Sequence, residues 1–248
     1  MKISSSNVLI TGGATGLGFA IAQRLVGLGN TVIICGRRED RLRGAESRLK
    51  GIRVLKCDVS KEYEREALLS RISDELGGLD MLINNAGIQR EVDFRKGMAD
   101  IRAHDDEVDI NLKSQIYMTA LAVPLLMKRQ AAAIVNVSSG LGFVPMAKFP
   151  IYSATKAAIH SLTLSLRQQL KGTGISVFEV VPPTLYDTEL KGHPLEKADW
   201  NMSASEMAEA VISGLQNDVY EIGAGPSAKW LDASRKDLDA AFSSINSR

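Results

Sequence analysis

The regular alternation of strand-like and helix-like segments constrains this 248-residue chain more than any other feature. Short runs of Val, Ile and Leu alternate with amphipathic stretches and short turns, a pattern typical of a parallel sheet with crossover helices. Strands are predicted at Asn7–Thr11, Thr31–Cys35, Arg53–Cys57, Met81–Asn84, Ala133–Ser138 and Ser176–Val181, with a weaker one at Val219–Ile222. Helices are predicted at Phe19–Leu28, Glu62–Leu76 and Ala154–Leu170, among others. The sequence therefore predicts an α/β fold with helices on both faces of the sheet.

Two segments interrupt this regularity. Residues 182–204 are irregular and carry three of the seven prolines, which predicts one long loop. The tail beyond Pro226 is predicted to hold one helix, Lys229–Phe242. Because no linker, repeat or low-complexity tract divides the chain, a single domain over residues 1–248 is expected.

Charge and composition exclude several classes of protein. Basic and acidic residues nearly balance, at 30 against 29, and no basic stripe is interleaved with aromatics, so a nucleic-acid partner is not expected. No apolar run approaches the roughly 20 residues needed to cross a bilayer, and Met1 leads almost directly into a strand, so we expect a cytoplasmic protein without a membrane partner. Cys35 and Cys57 form neither a disulfide framework nor a metal-ligand spacing, and no metal site is expected.

A glycine-rich turn follows the first strand and leads into the first helix. It reads Thr11-Gly12-Gly13-Ala14-Thr15-Gly16-Leu17-Gly18. Glycines at this spacing let the backbone turn sharply and approach a pyrophosphate, which then faces the positive end of the helix. Glycine clusters also serve simply as turns, so the position directly after the first strand is what favours nucleotide binding here.

The end of the second strand indicates which nucleotide binds. A NAD-selective site places an acidic side chain there to hydrogen-bond the ribose 2′-hydroxyl, whereas this chain has Gly36-Arg37-Arg38. A guanidinium can pair with a 2′-phosphate in fork geometry, and we favour that role for Arg37. Arg38 is equally compatible with a solvated surface position. These residues predict NADP(H) rather than NAD(H).

Tyr152 and Lys156 are candidate catalytic residues. Positions i and i+4 of a helix share a face, so both side chains can point into one pocket. This spacing is common by chance, and its weight comes from its place in the helix after the fifth strand. A tyrosine has a pKa near about 10, and a nearby ammonium is expected to lower it toward the range useful for proton transfer.

Two further polar residues complete the candidate site. Ser139 lies thirteen residues before Tyr152, at the end of the fifth strand, where its hydroxyl can bond a substrate oxygen. Ser138 is the alternative, because strand alternation lets only one of the two face the pocket. Asn111 opens a long predicted helix, so helix capping explains it without a functional role.

Taken together, these motifs resemble the short-chain dehydrogenase/reductase family over roughly positions 5 to 223. The motifs occur in family order: the glycine turn, Cys57-Asp58-Val59, Asn84-Asn85-Ala86-Gly87, Asn111, Ser139 and Tyr152-x3-Lys156. Within the family the chain is similar to the bacterial DltE-type branch, in which Ile34-Cys35-Gly36-Arg37 and Asn85-Ala86-Gly87-Ile88-Gln89 have close counterparts. The resemblance implies a Rossmann-type, doubly wound sheet of mostly seven parallel strands and a homodimer or homotetramer.

The resemblance also implies roles for individual residues. Tyr152 would be the general acid/base, Ser139 would position the substrate, and Lys156 would lower the tyrosine pKa and hold the nicotinamide ribose. Asn111 would support a water-linked proton relay to Lys156. The cofactor-binding set would comprise Gly12, Thr15, Gly16, Leu17, Gly18, Arg37, Arg38, Asp58, Val59, Asn85, Ala86, Gly87, Tyr152, Lys156, Pro182 and Thr188.

The chain departs from the family pattern after the sixth strand. Pro183 replaces the usual glycine and stiffens the turn. Thr188 is the first choice for the nicotinamide carboxamide contact and Thr184 the second, while Tyr186 is an extra phenol that can face substrate or solvent. We expect residues 182–204, with Gln89–Lys96, to form the substrate pocket.

The sequence thus predicts an NADP(H)-dependent carbonyl reductase or alcohol dehydrogenase acting on a small molecule. Two other functions use the same scaffold: an epimerase or dehydratase that reuses the same base, and a nucleotide-sensing protein without turnover. Proteins of the last kind typically lose the tyrosine or the lysine, and this chain keeps both.

Overall fold

The computed structural model describes residues 1, 3–102, 106–188, 190 and 193–247. Its strands are β1 (Asn7–Thr11), β2 (Thr31–Gly36), β3 (Ile52–Lys56), β4 (Met81–Asn84), β5 (Ala132–Val137), β6 (Ile175–Val181), β7 (Thr184–Leu185), β8 (Asn201–Met202) and β9 (Glu221–Gly223). Seven of them form one parallel sheet in the order β3-β2-β1-β4-β5-β6-β9. The predicted doubly wound fold is confirmed.

Helices cover both faces of this sheet. They are α1 (Gly16–Gly27), α2 (Glu39–Arg48), α3 (Glu62–Leu76), α4 (Met98–Arg102), α5 (Asp106–Val108), α6 (Ser114–Leu126), α7 (Pro150–Gln169), α8 (Ala204–Gln216), α9 (Pro226–Lys236) and α10 (Leu238–Asn246). A π-helical turn, Asp109–Lys113, joins α5 to α6, and short 3₁₀ turns lie at Phe94–Lys96 and Gly140–Gly142.

The strands are apolar because each contributes to two cores. Leu9 and Ile33 pack in the core on one face of the sheet, and their neighbours Ile10 and Ile34 pack in the core on the other face. Alternate side chains of a strand point to opposite faces, so a strand covered on both sides needs apolar residues at every position. The strand order reverses between β1 and β4, and the carboxyl ends of the strands there border a crevice suited to a ligand.

The predicted helix Lys229–Phe242 is wrong in its extent. Two helices, α9 and α10, meet at Asp237, whose backbone is extended at φ −157° and ψ 95°. The Asp237 side chain accepts a hydrogen bond of 2.9 Å from the Ala240 N–H. An aspartate in this conformation caps the start of a helix, and it therefore ends α9 and begins α10.

The predicted long loop over residues 182–204 contains a small ladder. Strands β7 and β8 pair in parallel, with Thr184 opposite Asn201. The segment ends where Ser203 and Glu206 form a reciprocal cap that begins α8. Residues 189, 191 and 192 of the predicted loop lie outside the described residues.

Within the part of the chain that the structure describes, no helix combines the length and the apolar character needed to cross a membrane.

Candidate active site

The glycine-rich turn packs tightly at the carboxyl end of β1. Gly12 and Gly16 have φ angles of +64° and +55°, which favour glycine, and Gly12 N–H donates to the Cys35 carbonyl at 2.9 Å. A Cβ atom on Gly12 would lie 2.9 Å from the Ala86 Cα, closer than a side chain can approach. The turn is therefore a cradle of bare backbone that leads into the N-terminus of α1, where N–H groups of the first turn point outward.

Thr11 and Asn85 lock this turn to the segment after β4. The Asn85 side-chain amide donates to the carbonyls of Thr11 and Gly12 at 2.9 and 3.1 Å. The Thr11 hydroxyl oxygen accepts the backbone N–H groups of Asn85 and Ala86, both at 3.0 Å. The predicted Asn85-Ala86-Gly87 segment thus lies beside the glycine turn, and Thr11 is a connecting residue that the sequence analysis did not single out.

Thr15, Leu17 and Gly18 complete the turn and contribute to it in different ways. Thr15 precedes the first residue of α1 in an extended conformation, without a side-chain cap bond. The Leu17 side chain is buried in the apolar core, so its backbone alone faces the turn. A Cβ on Gly18 would lie 2.5 Å from the Asn85 amide nitrogen, so Gly18 allows Asn85 to reach the turn.

Arg37 and Arg38 are both exposed directly after β2. Glu39, which follows them, is held by Lys56, with 2.6 Å between the Lys56 Nζ and a Glu39 carboxylate oxygen. The hydrogen bond from Lys56 lowers the pKa of Glu39. The nearest acid after β2 is therefore already paired with a cation, and Arg37 extends from the position where a NAD-selective site has its acid.

Asp58 and Val59 follow β3 at the same edge of the sheet. The Asp58 carboxylate accepts bonds from the Ser60 backbone N–H at 3.0 Å and the Ser60 hydroxyl at 2.8 Å, which holds the turn after the strand. Val59 is buried, and Arg65 donates to its carbonyl at 2.8 Å.

Thr188 lies nearer to the glycine turn than Thr184 does. A Cβ on Gly16 would be 3.2 Å from the Thr188 methyl carbon, whereas Thr184 lies in the small β7–β8 ladder. Pro182 is buried, and its carbonyl accepts the Gly140 N–H at 3.1 Å, which ties the end of β6 to the turn after β5. Of the two threonines, Thr188 is the one beside the glycine turn, and its contact with a carboxamide stays a prediction.

Tyr152 and Lys156 lie on the first turns of α7, and both side chains are buried, at 5% and 2% exposure. The helix begins with Pro150, whose fixed φ suits a first helical position. The Lys156 Nζ donates to the Val137 carbonyl at 2.8 Å and lies 5.5 Å from the centre of the Tyr152 ring. The two groups share one pocket beside the end of β5.

The two adjacent serines point in different directions, as strand alternation requires. The Ser138 hydroxyl donates to the Val180 carbonyl of the neighbouring strand at 3.3 Å. Ser139 instead interacts with the Tyr152 phenol and also accepts the Leu141 N–H at 3.2 Å. Of the two, Ser139 is the one that faces the tyrosine.

Burial governs the titration of both groups on α7. Loss of solvation raises the pKa of Tyr152 to about 12, against a smaller lowering by the Ser139 hydrogen bond. The same effect lowers the pKa of Lys156 to about 8. The pKa of Tyr152 is therefore raised on balance, rather than lowered toward neutrality as the sequence predicted, because the cost of burial outweighs the contacts that favour the phenolate.

Asn111 caps no helix, so the capping explanation from the sequence is wrong. It lies inside the π-helical turn between α5 and α6 and is completely buried. Its side chain accepts the Ile88 N–H and donates to the Ile88 carbonyl, both at 2.8 Å, and also donates to the Thr155 hydroxyl at 3.3 Å. Asn111 thereby holds the segment after Gly87 in place. A Cβ atom added to Gly87 would lie 3.6 Å from the Lys156 Nζ, so this segment runs close to the lysine.

Glu107 is a site residue that the sequence analysis missed. It is fully buried and interacts electrostatically with both Tyr152 and Lys156. Burial raises the pKa of Glu107 to about 7. Its position four residues before Asn111, one helical turn away, is the signal that could have identified it.

The predicted pocket segments border this site and are partly exposed. Arg90, after β4, pairs with Asp106, and an Arg90 nitrogen lies 3.2 Å from a carboxylate oxygen. The Tyr186 carbonyl accepts the Leu195 N–H at 2.7 Å. His193 is exposed and its ring bonds the Pro194 carbonyl at 2.9 Å, a local loop contact.

Comparisons with known proteins agree with this arrangement. Residues 6–198 match the family model described as short chain dehydrogenase. The uncharacterized oxidoreductase DltE of Bacillus subtilis is 42% identical over 251 residues, covering 100% of this chain and 99% of that protein.

Two solved structures share the fold at low sequence identity. A short chain dehydrogenase from Burkholderia cenocepacia, in complex with NADP, has a TM-score of 0.85 at 24% identity and 99% coverage of both chains. A short chain dehydrogenase/reductase from Burkholderia phymatum, in complex with NAD, has a TM-score of 0.83 at 20% identity, covering 97% of this chain and 96% of that chain. The matched residues and the DltE likeness establish that this chain belongs to the short-chain dehydrogenase/reductase family of oxidoreductases, in its DltE-type branch.

Proposed function

We propose that this protein is an NADP(H)-dependent oxidoreductase that transfers hydride between NADPH and a carbonyl or alcohol substrate. The observation that carries the proposal is the buried group of Tyr152, Lys156 and Ser139 at the end of β5, next to the backbone cradle at Gly12. A phenol, an ammonium and a hydroxyl in one pocket are the groups that a carbonyl reduction needs for its proton.

The residues of the crevice fit a dinucleotide. Gly12, Thr15, Gly16, Leu17 and Gly18 would face the pyrophosphate with backbone N–H groups and the N-terminus of α1. When bound, the nicotinamide supplies the hydride. The other residues that would hold the cofactor are Asp58 and Val59 at the adenine, Asn85, Ala86 and Gly87 along the fourth strand, Pro182 and Thr188 at the nicotinamide, and Lys156 at its ribose.

Arg37 would select the phosphorylated cofactor. Its guanidinium is exposed at the end of β2, and Arg38, the next residue, is exposed as well. Glu39, which would repel a 2′-phosphate, is paired with Lys56. The preference for NADP(H) therefore rests on a cation at the selective position and a neutralised acid next to it.

The high pKa of Tyr152, about 12, suits it to act as the acid in reduction. A phenol that stays protonated at neutral pH can donate its proton to the alkoxide that forms when hydride reaches the carbonyl carbon. Ser139, beside the phenol, would hold the carbonyl oxygen and stabilise its developing charge. The Lys156 ammonium would stabilise the phenolate left behind, and Asn111 would keep the segment after Gly87 against Lys156.

The homo-oligomer expected from the family is also a proposal for this chain. Ile116 and Tyr117 on α6 and Leu164 on α7 are exposed although they are large and apolar. These are the two helices that would pair across a two-fold axis, and apolar exposure of this kind favours a contact between copies. Light scattering on purified protein should give a mass of two or four times 26.9 kDa.

A panel of aldehydes, ketones and alcohols tests the proposed activity. Wild-type protein is mixed with NADPH and each carbonyl, or with NADP⁺ and each alcohol, and nucleotide absorbance is followed. Net oxidation of NADPH by at least one carbonyl is the expected result. Substrate isomerisation or water loss without net change in the nucleotide would instead indicate an epimerase or dehydratase.

A further inference from the structure

Glu107 is an unusual buried charge. It is 0% exposed, and within the described ranges neither of its carboxyl oxygens has a hydrogen-bond partner of normal geometry. The Arg90 backbone N–H lies close enough to favour the carboxylate, but a buried carboxyl without a well-formed hydrogen bond is still costly for a fold. Such a group is retained where it has a function, or where a proton neutralises it. Glu107 therefore requires an explanation beyond packing.

The surroundings of Glu107 connect the catalytic pocket with solvent. Helix α5, which carries Glu107, packs directly against α7. Lys156 and Tyr152 on α7 lie within electrostatic range of the Glu107 carboxyl, as do Arg90 after β4 and Asp106 on α5. Arg90 and Asp106 form an ion pair whose side chains are 31% and 40% exposed. Glu107 thus interacts with a fully buried cation and also with a pair that reaches solvent.

We propose that Glu107 is a positioning residue that acts through Lys156, holding the proton that recharges the lysine during turnover. This inference rests on the proposed function. The Tyr152 O–H bond breaks as its proton passes to the substrate alkoxide, and a Lys156 N–H proton then restores the phenol. The Glu107 O–H proton restores the ammonium, and the carboxylate takes a proton from water near Arg90 and Asp106. One proton passes from solvent to product, and no residue is oxidised or reduced.

The proton affinities of the two groups support this path. Burial raises the pKa of Glu107 to about 7, against lowering by the Arg90 backbone N–H and by the charges of Arg90 and Lys156, while Asp106 raises it. Burial lowers the pKa of Lys156 to about 8, which Glu107 opposes. Proton transfer between groups of nearly equal pKa changes the free energy little in either direction. A buried ion pair without a proton role would instead hold the carboxyl pKa low.

Infrared spectroscopy tests the coupling without turnover. The C=O stretch of a protonated buried carboxyl should be present in wild-type protein at pH 6, disappear by pH 8 to 9, and be missing in Glu107→Gln. The matched control is Glu179→Gln, which replaces another fully buried glutamate, bonded to His160 at 2.8 Å. In Lys156→Met the band should persist to higher pH, because a cation that favours the carboxylate has been removed. A band unaffected by Glu107→Gln or by Lys156→Met overturns the inference.

Kinetics then separate a proton role from a structural one. With a carbonyl found active in the panel, Glu107→Gln should lower kcat about tenfold and leave the KM for NADPH within about twofold. In the variant, the fall of kcat/KM on the alkaline side should begin at a lower pH than in wild-type protein, since Glu107 no longer raises the Lys156 pKa. An unchanged pH profile together with a lowered Tm would mean a structural role and overturn the inference. If no carbonyl is reduced while the infrared coupling is present, the proposed function fails and the proton coupling stands.

Discussion

The glycine-turn edge of the site and the segment over residues 182–203 are held in opposite ways. At the glycine turn, Thr11 and Asn85 bond to each other's backbone across 74 residues of chain. Among the described residues of the other segment the side-chain bonds are mostly short-range: Thr188 donates to the Leu185 carbonyl at 3.1 Å, and Asn201 donates to the Glu196 carbonyl at 2.8 Å. An edge built from several strands cannot vary without disturbing the sheet, whereas a locally bonded loop can change its side chains freely. The fold therefore specifies the edge where we propose that the cofactor binds far more closely than the segment proposed to contact substrate.

Tyr152→Phe should have the largest effect, because the proposed mechanism takes its proton from the Tyr152 phenol. Removing a general acid lowers kcat by about 10²–10⁴-fold. The affinity for NADPH, measured by fluorescence titration, should stay within about twofold, since the cradle at Gly12 does not depend on the phenol. Tyr63→Phe, at a position 69% exposed, is the matched control and should retain wild-type turnover. A Tyr152→Phe variant as active as the control would contradict the mechanism.

Arg37→Ala tests the claim that the glycine-turn edge specifies the cofactor. Loss of a charge-assisted contact should raise the KM for NADPH by about 10–100-fold. The KM for NADH should change little, since NADH has no 2′-phosphate for the guanidinium to bind. Arg71→Ala is the control, because Arg71 is an exposed arginine of α3 that pairs with Glu75, so its loss leaves the Glu39–Lys56 pair intact. Equal changes for both nucleotides would remove the basis for preferring NADP(H).

The pH dependence of reduction tests the role of the Lys156 charge. Burial lowers the pKa of Lys156 to about 8, so the ammonium is present below that pH and is lost above it. If the ammonium stabilises the phenolate, kcat/KM should be level below pH 8 and fall by about tenfold per pH unit above it. Measuring kcat/KM in overlapping buffers at constant ionic strength gives the pH at which it begins to fall and the slope of the fall. A level profile to pH 10 would show that reduction does not need the lysine charge.

The fold could be predicted because short patterns determine it, and the residues predicted to bind a cofactor lie at the carboxyl edge of the sheet, where they stay a prediction. Apolar strands identified the sheet, and the ordered motifs identified the turn, Asn85 and the pair on α7. Asn111 was found but misread, since nothing in the sequence marks a π-helical turn that carries its side chain to Ile88. Glu107 and Asp237 were missed because burial and a mid-tail cap depend on packing between distant segments.

The smallest expected effect is that of replacing Tyr186, which lies in the locally bonded segment over residues 182–203. Its backbone is held by Met202 and Leu195, so replacing the hydroxyl alone leaves the loop in place. If Tyr186 faces substrate, Tyr186→Phe should change the KM for the carbonyl by about 2–10-fold, the range of one neutral hydrogen bond, with the KM for NADPH unchanged. Tyr220→Phe is the control, since that ring stacks on Phe178 with centroids 5.1 Å apart and belongs to neither of the segments predicted to form the pocket. An effect no larger than the control's would place Tyr186 toward solvent. Substrate recognition would then depend on other residues of the loop, and the contrast with the glycine turn would be sharper still.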